Sequence, residues 1–271
     1  MTDFRPATDV LTERSSRVVA LAKLHRASVR RSEGRFLVEG FNSVDAALAT
    51  GRAVQVLVRD DDAERHRDLL DTAYAAGVPI VEVNRRAAEK LSETMTAPGV
   101  FAVCGLLDAA LDDVLAAEPT LLVVAVEPRD PGNLGTLVRC GDAMGAAAVL
   151  LLGDSVDPHN GKSVRASAGS VFHVPVIRYP DVADGLRRLR DAGLITLATT
   201  MEGELSLDTA DEVLAAPHAW LFGNEAHGLP DEVIAAADHR VSIPLHGRAE
   251  SLNLAAASAI CLYASARVQN A

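Results

Sequence analysis

The chain has 271 residues, 49% hydrophobic and 23% charged, enough for one large domain or two modest ones. Apolar runs such as Leu121–Val126 are strand-length, short of the roughly 20 residues a spanning helix needs, and the opening MTDFRPATDV lacks the basic-then-apolar order of a secretory leader. The net charge of −11 argues against nucleic acid on average, yet Lys23, Arg26, Arg30, Arg31 and Arg35 crowd one stretch against the single acid Glu33.

In chain order, apolar residues recur at helical spacing over 11–27, predicting an N-terminal helix. A strand over 35–39 and a helix over 43–50 follow, with Gly51 well suited to end the helix. Strands are predicted over 54–58, 79–83 and 100–107, with helices over 63–76 and 86–92. This alternation describes a small α/β domain over 1–107. Residues 108–120 are rich in alanine and acids and read as a linker. A second α/β series fills 121–271. Its first strand, 121–126, is wholly apolar, the pattern of a strand buried on both faces of a parallel sheet. Helices are predicted over 134–144, 163–168, 182–192, 230–237 and 252–268, and strands over 147–152, 174–177, 194–198, 219–222 and 240–243.

The cysteines, Cys104, Cys140 and Cys261, are far apart, and neither they nor the eight histidines have metal-ligand spacing. Reduced thiols, no metal and a cytoplasmic location are the simple expectation. There is no GxGxxG for a nicotinamide cofactor and no GxxxxGK[ST] for nucleotide hydrolysis.

Three loops sit at the C-terminal ends of predicted strands, where open α/β sheets bind ligands. The first runs from Glu127 through Asn133 towards Arg139. Asn133 can cap the helix that follows, and Arg139 lies nearly two turns further on. The second, LFGNEAHGLP, carries Gly223, Asn224, Glu225 and Gly228; its glycines let backbone approach a flat ligand closely. The third, 243–254, holds Ile243, Ser251, Leu252 and Asn253. Ser251 can cap the last helix, with Asn253 in its first turn. Singly, each loop has a plain structural reading: a cap, a turn with Glu225 in solvent, a surface ion pair at Arg139. The basic run from Lys23 to Arg35 can equally be a solvated helix face.

Together, and in this order, the stretches EPRDPGNLGTLVRCGDAMGA, LFGNEAHGLP and IPLHGRAESLNLAAASAICLY resemble the three motifs of the SpoU/TrmH (SPOUT) family of RNA 2′-O-ribose methyltransferases. The segment Lys162 to Ser170 is similar to the family stretch between the first two motifs, and Gly34 to Gly40 resembles the start of an accessory RNA-binding domain like some ribosomal proteins. The resemblance implies a C-terminal parallel-sheet SPOUT domain with a trefoil knot, preceded by a small α/β RNA-binding domain. It implies S-adenosylmethionine as cofactor and a homodimer. It assigns Arg139 to the ribose hydroxyl, and Asn133, Glu225, Ser251 and Asn253 to the ribose, its phosphate or Arg139. Thr199, Thr200, Leu221, Gly223, Asn224, Gly228, Ile243 and Leu252 would surround the cofactor. Lys23, Arg26, Arg30, Arg31 and Arg35 would contact RNA. Cys140 departs from the family, which commonly has threonine there; a small-residue replacement is expected, not new chemistry. Large-subunit (23S) ribosomal RNA is the leading substrate. Transfer RNA and a catalytically silent RNA-docking role are the alternatives.

Overall fold

The computed structural model describes residues 10–271. Residues 1–9, which carry most of the N-terminal stretch read above as lacking a leader pattern, lie outside the described residues. The chain forms two compact units. One holds the chain up to Leu107 together with 159–173, and the other holds 108–158 and 174–271.

The first unit begins with α1 (Ser16–Ala22) and α2 (Ala27–Glu33), where one helix was expected. Arg26 between them is extended, with φ −90° and ψ 126°. Such a break leaves carbonyls without helical partners. Arg30 supplies the missing donors: its Nη1 gives hydrogen bonds to Leu24 O at 2.9 Å and His25 O at 2.8 Å. Gly34 ends α2 at φ +63°. There follow β1 (Arg35–Glu39), α3 (Phe41–Ala49), β2 (Ala53–Arg59), α4 (Arg67–Ala75), β3 (Ile80–Val83), α5 (Arg85–Leu91) and β4 (Val100–Gly105). The sheet order is β1-β4-β2-β3, with β4 antiparallel to both neighbours and β3 parallel to β2. Val18, Leu24, Leu37, Leu57, Leu91 and Phe101 form its core.

The second unit comprises α6 (Leu111–Ala116), β5 (Leu121–Val126), α7 (Pro131–Ala143) and β6 (Ala148–Leu152) before the chain leaves it. Residues 159–173 then fold with the first unit and carry α8 (Gly161–Ser167). There Arg165 pairs with the buried Glu39 and, at 3.4 Å, with Glu93, while Leu107 N donates to His159 Nε2 at 3.0 Å. The second unit resumes with β7 (Val176–Tyr179), α9 (Val182–Asp191), β8 (Ile195–Thr199), β9 (Leu205–Ser206), α10 (Asp211–Leu214), β10 (His218–Phe222), α11 (Asp231–Ala236), β11 (His239–Ser242) and α12 (Leu254–Gln269).

Its seven strands run β7-β6-β5-β10-β8-β11-β9, parallel throughout. Every residue of β5, β6 and β10 is buried, as a strand covered on both faces requires. A polar node ties α12 to β10. His218 Nε2 and Trp220 Nε1 both meet Ser265 Oγ at 2.8 Å, and His218 Nδ1 meets Ala216 O at 2.8 Å. Among the described residues, no helix is long and apolar enough to cross a membrane. Adjacent β5 and β10 mark where the strand order turns, so the loops leaving them open onto one crevice.

Candidate functional site

Asp130, rather than Asn133, caps α7. Its Oδ1 accepts Asn133 N at 2.8 Å and Pro131 opens the helix. Pro fits there because the amide it lacks would have no helical partner. Asn133 thus lies in the first turn, with its side chain available to the crevice. Its Nδ2 donates to Glu225 Oε1 at 3.3 Å, and its Oδ1 accepts from Asn253 Nδ2 at 3.3 Å. The Glu225 carboxylate also accepts from the backbone amides of Arg129, at 3.2 Å, and Asp130, at 3.3 Å. Glu225 is therefore not an idle turn residue. Though exposed, it occupies the donors at the start of α7, where a negative charge is favoured.

The hairpin bearing Glu225 is rigidly built. Asn224 and Gly228 exchange backbone hydrogen bonds of 3.0 and 2.8 Å. A Cβ on Gly223 would lie 2.1 Å from the carbonyl carbon of Gly228, so only glycine fits. Asn224, expected beside a cofactor, spends its side chain inside the protein: Nδ2 donates to Glu127 O at 2.9 Å and Oδ1 accepts Ala226 N at 2.9 Å. Glu127 meets it with a left-handed backbone, φ 50°.

Asn253 also caps α12, accepting Ala255 N at 2.8 Å, which corrects the assignment of that cap to Ser251. The helix opens at Leu254, two residues later than expected, and Ser251 stands outside it, exposed. Arg139 projects from α7, exposed, and no described residue makes a hydrogen bond or ion pair with its guanidinium. Burial pushes the neighbouring Cys140 thiol up, against smaller opposing effects of Ser258 and Arg139, so it stays protonated.

Thr199 Oγ1 donates to Leu221 O at 2.9 Å, and Thr200 N donates to Val241 O at 3.1 Å. Leu221 itself is core, so its side chain is closed to any ligand. Ile243 is half-buried just past β11. Beyond it, residues 244–252 make no hydrogen bond with any described residue, and Leu245 and Leu252 are 39% and 36% exposed.

Of the basic run in the first unit, Lys23, Arg26, Arg31 and Arg35 are exposed. Arg30 is 3% exposed and holds the α1–α2 turn, so it is withdrawn from the expected RNA-contacting set. The sequence reading missed Asp130, although an Asp-Pro pair before a helix signals this cap. It also missed the pairing of Arg129 with Asp154 at 2.7 Å, for which there was no local signal.

Residues 120–263 match the model of the SpoU rRNA Methylase family. The chain belongs to the SpoU rRNA methylase family. The match spans all three loops, and residues 15–102 match the MRM3-like substrate binding domain. Among curated relatives, the family member is 32% identical to a 23S rRNA (guanosine(2553)-2′-O)-methyltransferase of Bacillus subtilis, over 89% of this chain and 92% of that one. It is also 32% identical to a 23S rRNA (uridine(2479)-2′-O)-methyltransferase of Streptomyces viridochromogenes, over 97% and 93%. An AdoMet-bound rRNA methyltransferase from Sinorhizobium meliloti superposes with a TM-score of 0.83 at 31% identity, covering 96% of this chain and 97% of that one.

Proposed function

We propose that this SpoU-family chain uses S-adenosylmethionine to methylate a ribose 2′-hydroxyl in 23S ribosomal RNA. One observation carries the reading: Asn133, Glu225 and Asn253, from three separate loops, are hydrogen-bonded into one cluster at the end of the helix that presents Arg139. Relatives matched along nearly their whole length bear names of 23S rRNA 2′-O-methyltransferases, which favours ribosomal over transfer RNA. A silent docking role is disfavoured because every expected catalytic residue is present.

The residues past β11 fit the cofactor. Chain 244–252 offers backbone donors with no internal partner, and Leu245 and Leu252 offer exposed apolar surface, which suits a flat adenine ring and a carboxylate. Gly223, Gly228, Thr199, Thr200 and Ile243 border this region through backbone, while Asn224 holds the hairpin. When bound, the cofactor supplies an electrophilic methyl carbon on a sulfonium.

The protein's task is to aim the hydroxyl in line and help it lose its proton. A guanidinium keeps its proton, so Arg139 acts as a permanent cation beside the developing alkoxide, and the proton leaves to phosphate or water. Asn133, Glu225 and Asn253 hold the ribose and its phosphate, with Ser251 reaching in from the same loop. Lys23, Arg26, Arg31 and Arg35 supply phosphate contacts from the substrate-binding domain, from which the chain first passes to the catalytic domain after Leu107. The same reading carries a trefoil knot in the catalytic domain, a cytoplasmic location and a homodimer. Exposed Ile260 and Tyr263, three apart on α12, support the dimer.

The test is methyl transfer from tritiated adenosylmethionine to unmodified 23S ribosomal RNA and, separately, to transfer RNA, followed by digestion to nucleosides. A labelled 2′-O-methylnucleoside from ribosomal RNA alone is the expected result. Absence of cofactor binding would overturn the enzymatic reading, and label in transfer RNA alone would reassign the substrate.

A further inference from the structure

Arg129 is the one basic side chain in the first loop whose main chain also touches the catalytic cluster. Its amide donates to Glu225 Oε2 at 3.2 Å, so its Cα is fixed relative to Glu225, Asn133 and Asn253. The Arg129 side chain is 55% exposed. It reaches the loop after β6, where Nη1 donates to Asp154 at 2.7 Å, with Glu127 3.9 Å from Nη2. The Asp154 side chain is 81% exposed. An ion pair this open is worth little, at most about 1 kcal/mol, because water screens both partners. A phosphate offers the same guanidinium two charged acceptors in a geometry that suits its fork. Neither the family resemblance nor the motif residues give Arg129 a role.

We propose that Arg129 binds a backbone phosphate of the substrate RNA next to the target ribose, and that Asp154 is its occupant when RNA is absent, released when the phosphate arrives. This inference rests on the RNA-methylating reading above and adds to it a substrate contact with a built-in competitor. No bond is made or broken. One carboxylate is exchanged for one phosphate on the same cation. Because Asp154 and Glu127 both surround Arg129 with negative charge, they oppose the phosphate, and Asp154 sets how strongly. In a chain of net charge −11, such a competitor favours a ligand that brings several phosphates at once over a small free anion.

The experiment compares wild type, Arg129→Ala, Asp154→Ala and the double variant on an unmodified 23S ribosomal RNA transcript. It reads KM for RNA and kcat at several salt concentrations, and adenosylmethionine affinity by calorimetry. Arg129→Ala should raise KM about five- to tenfold and reduce the salt slope of log KM by roughly 0.7 to 0.9, the loss of one phosphate contact. Asp154→Ala should move KM the other way, down about two- to threefold, the size of a surface ion pair. In the Arg129→Ala background Asp154→Ala should do nothing. Cofactor affinity should be unchanged in all four proteins.

A pair that only braces the two loops would instead make both single variants worse together, and that result overturns the proposal. So does an unchanged KM in Arg129→Ala. If wild type binds adenosylmethionine yet transfers no methyl group, the functional reading fails by itself. Direct binding of the same transcript by the four proteins then tests the proposal through the same opposite shifts.

Discussion

The two sides of the crevice are built differently. On one side, the loops after β5 and β10 are tied to each other, by Glu225 on the amides of Arg129 and Asp130 and by Asn224 on Glu127 O. On the other, the chain after β11 crosses 244–252 without a hydrogen bond to any described residue and takes hold again only at Asn253. The proposed function gives this difference a reason. Groups that act in a transition state must be aimed in advance, because reorganising them during the reaction costs rate. On the proposed function, groups that hold a cofactor can be ordered by the cofactor, and the open donors of 244–252 are free to meet it.

This contrast predicts that changes on the tied side lower kcat and changes on the open side weaken cofactor binding. The largest effect belongs to Arg139→Ala. Loss of a charge-stabilising donor should cut kcat on the order of 10²- to 10³-fold, measured by single-turnover methyl transfer, with cofactor affinity intact. Gly223→Ala comes next. Its new Cβ would meet Gly228 backbone at 2.1 Å, so the hairpin must shift and carry Glu225 with it. A displacement near 1 Å can cost about 100-fold, and kcat should fall by roughly that factor. Glu225→Gln keeps one acceptor oxygen but loses the charge, at about 1–2 kcal/mol, so kcat should drop roughly tenfold. If saturating cofactor restored that rate, the division of labour between the two sides would collapse.

On the open side, Leu252→Ala should raise the adenosylmethionine Kd about fivefold by calorimetry, for a partly buried leucine worth roughly 1 kcal/mol of contact, with kcat kept at saturation. The smallest effect is on stability. Burial pushes the His218 imidazole below its usual range, so the folded state holds it neutral against Ser265 and Ala216 O. A histidine depressed on folding contributes stability fully above its unfolded value near 6.5 and loses it as pH falls below that. The urea midpoint should therefore fall between pH 7.5 and 5.5, and less steeply in His218→Gln.

Much of this architecture was written in periodicity. The all-apolar run 121–126 is β5 and is buried at every position, and the strand expected over 35–39 is β1. The errors came where side chains from elsewhere decide the backbone. Nothing within 11–27 announces that Arg30 will satisfy the carbonyls of a broken turn. β9 and α10, of two and four residues, are too short to show a period. At the site, motif order brought forward Asn133, Glu225 and Asn253, which do converge. The caps were misassigned because several residues in each loop have capping chemistry, and only three-dimensional geometry selects Asp130 over Asn133 and Asn253 over Ser251.

Residues 159–173 interrupt the catalytic sheet between β6 and β7, yet they fold with the substrate-binding unit. The chain therefore passes from one unit to the other three times, and neither unit is one continuous stretch of sequence. A graft that exchanged residues 1–107 alone between relatives would strand Glu39 without Arg165 and Phe36 without the ring of His159. Any recombination that exchanges the whole first unit must carry α8 along, so the shuffling unit here is discontinuous in the gene.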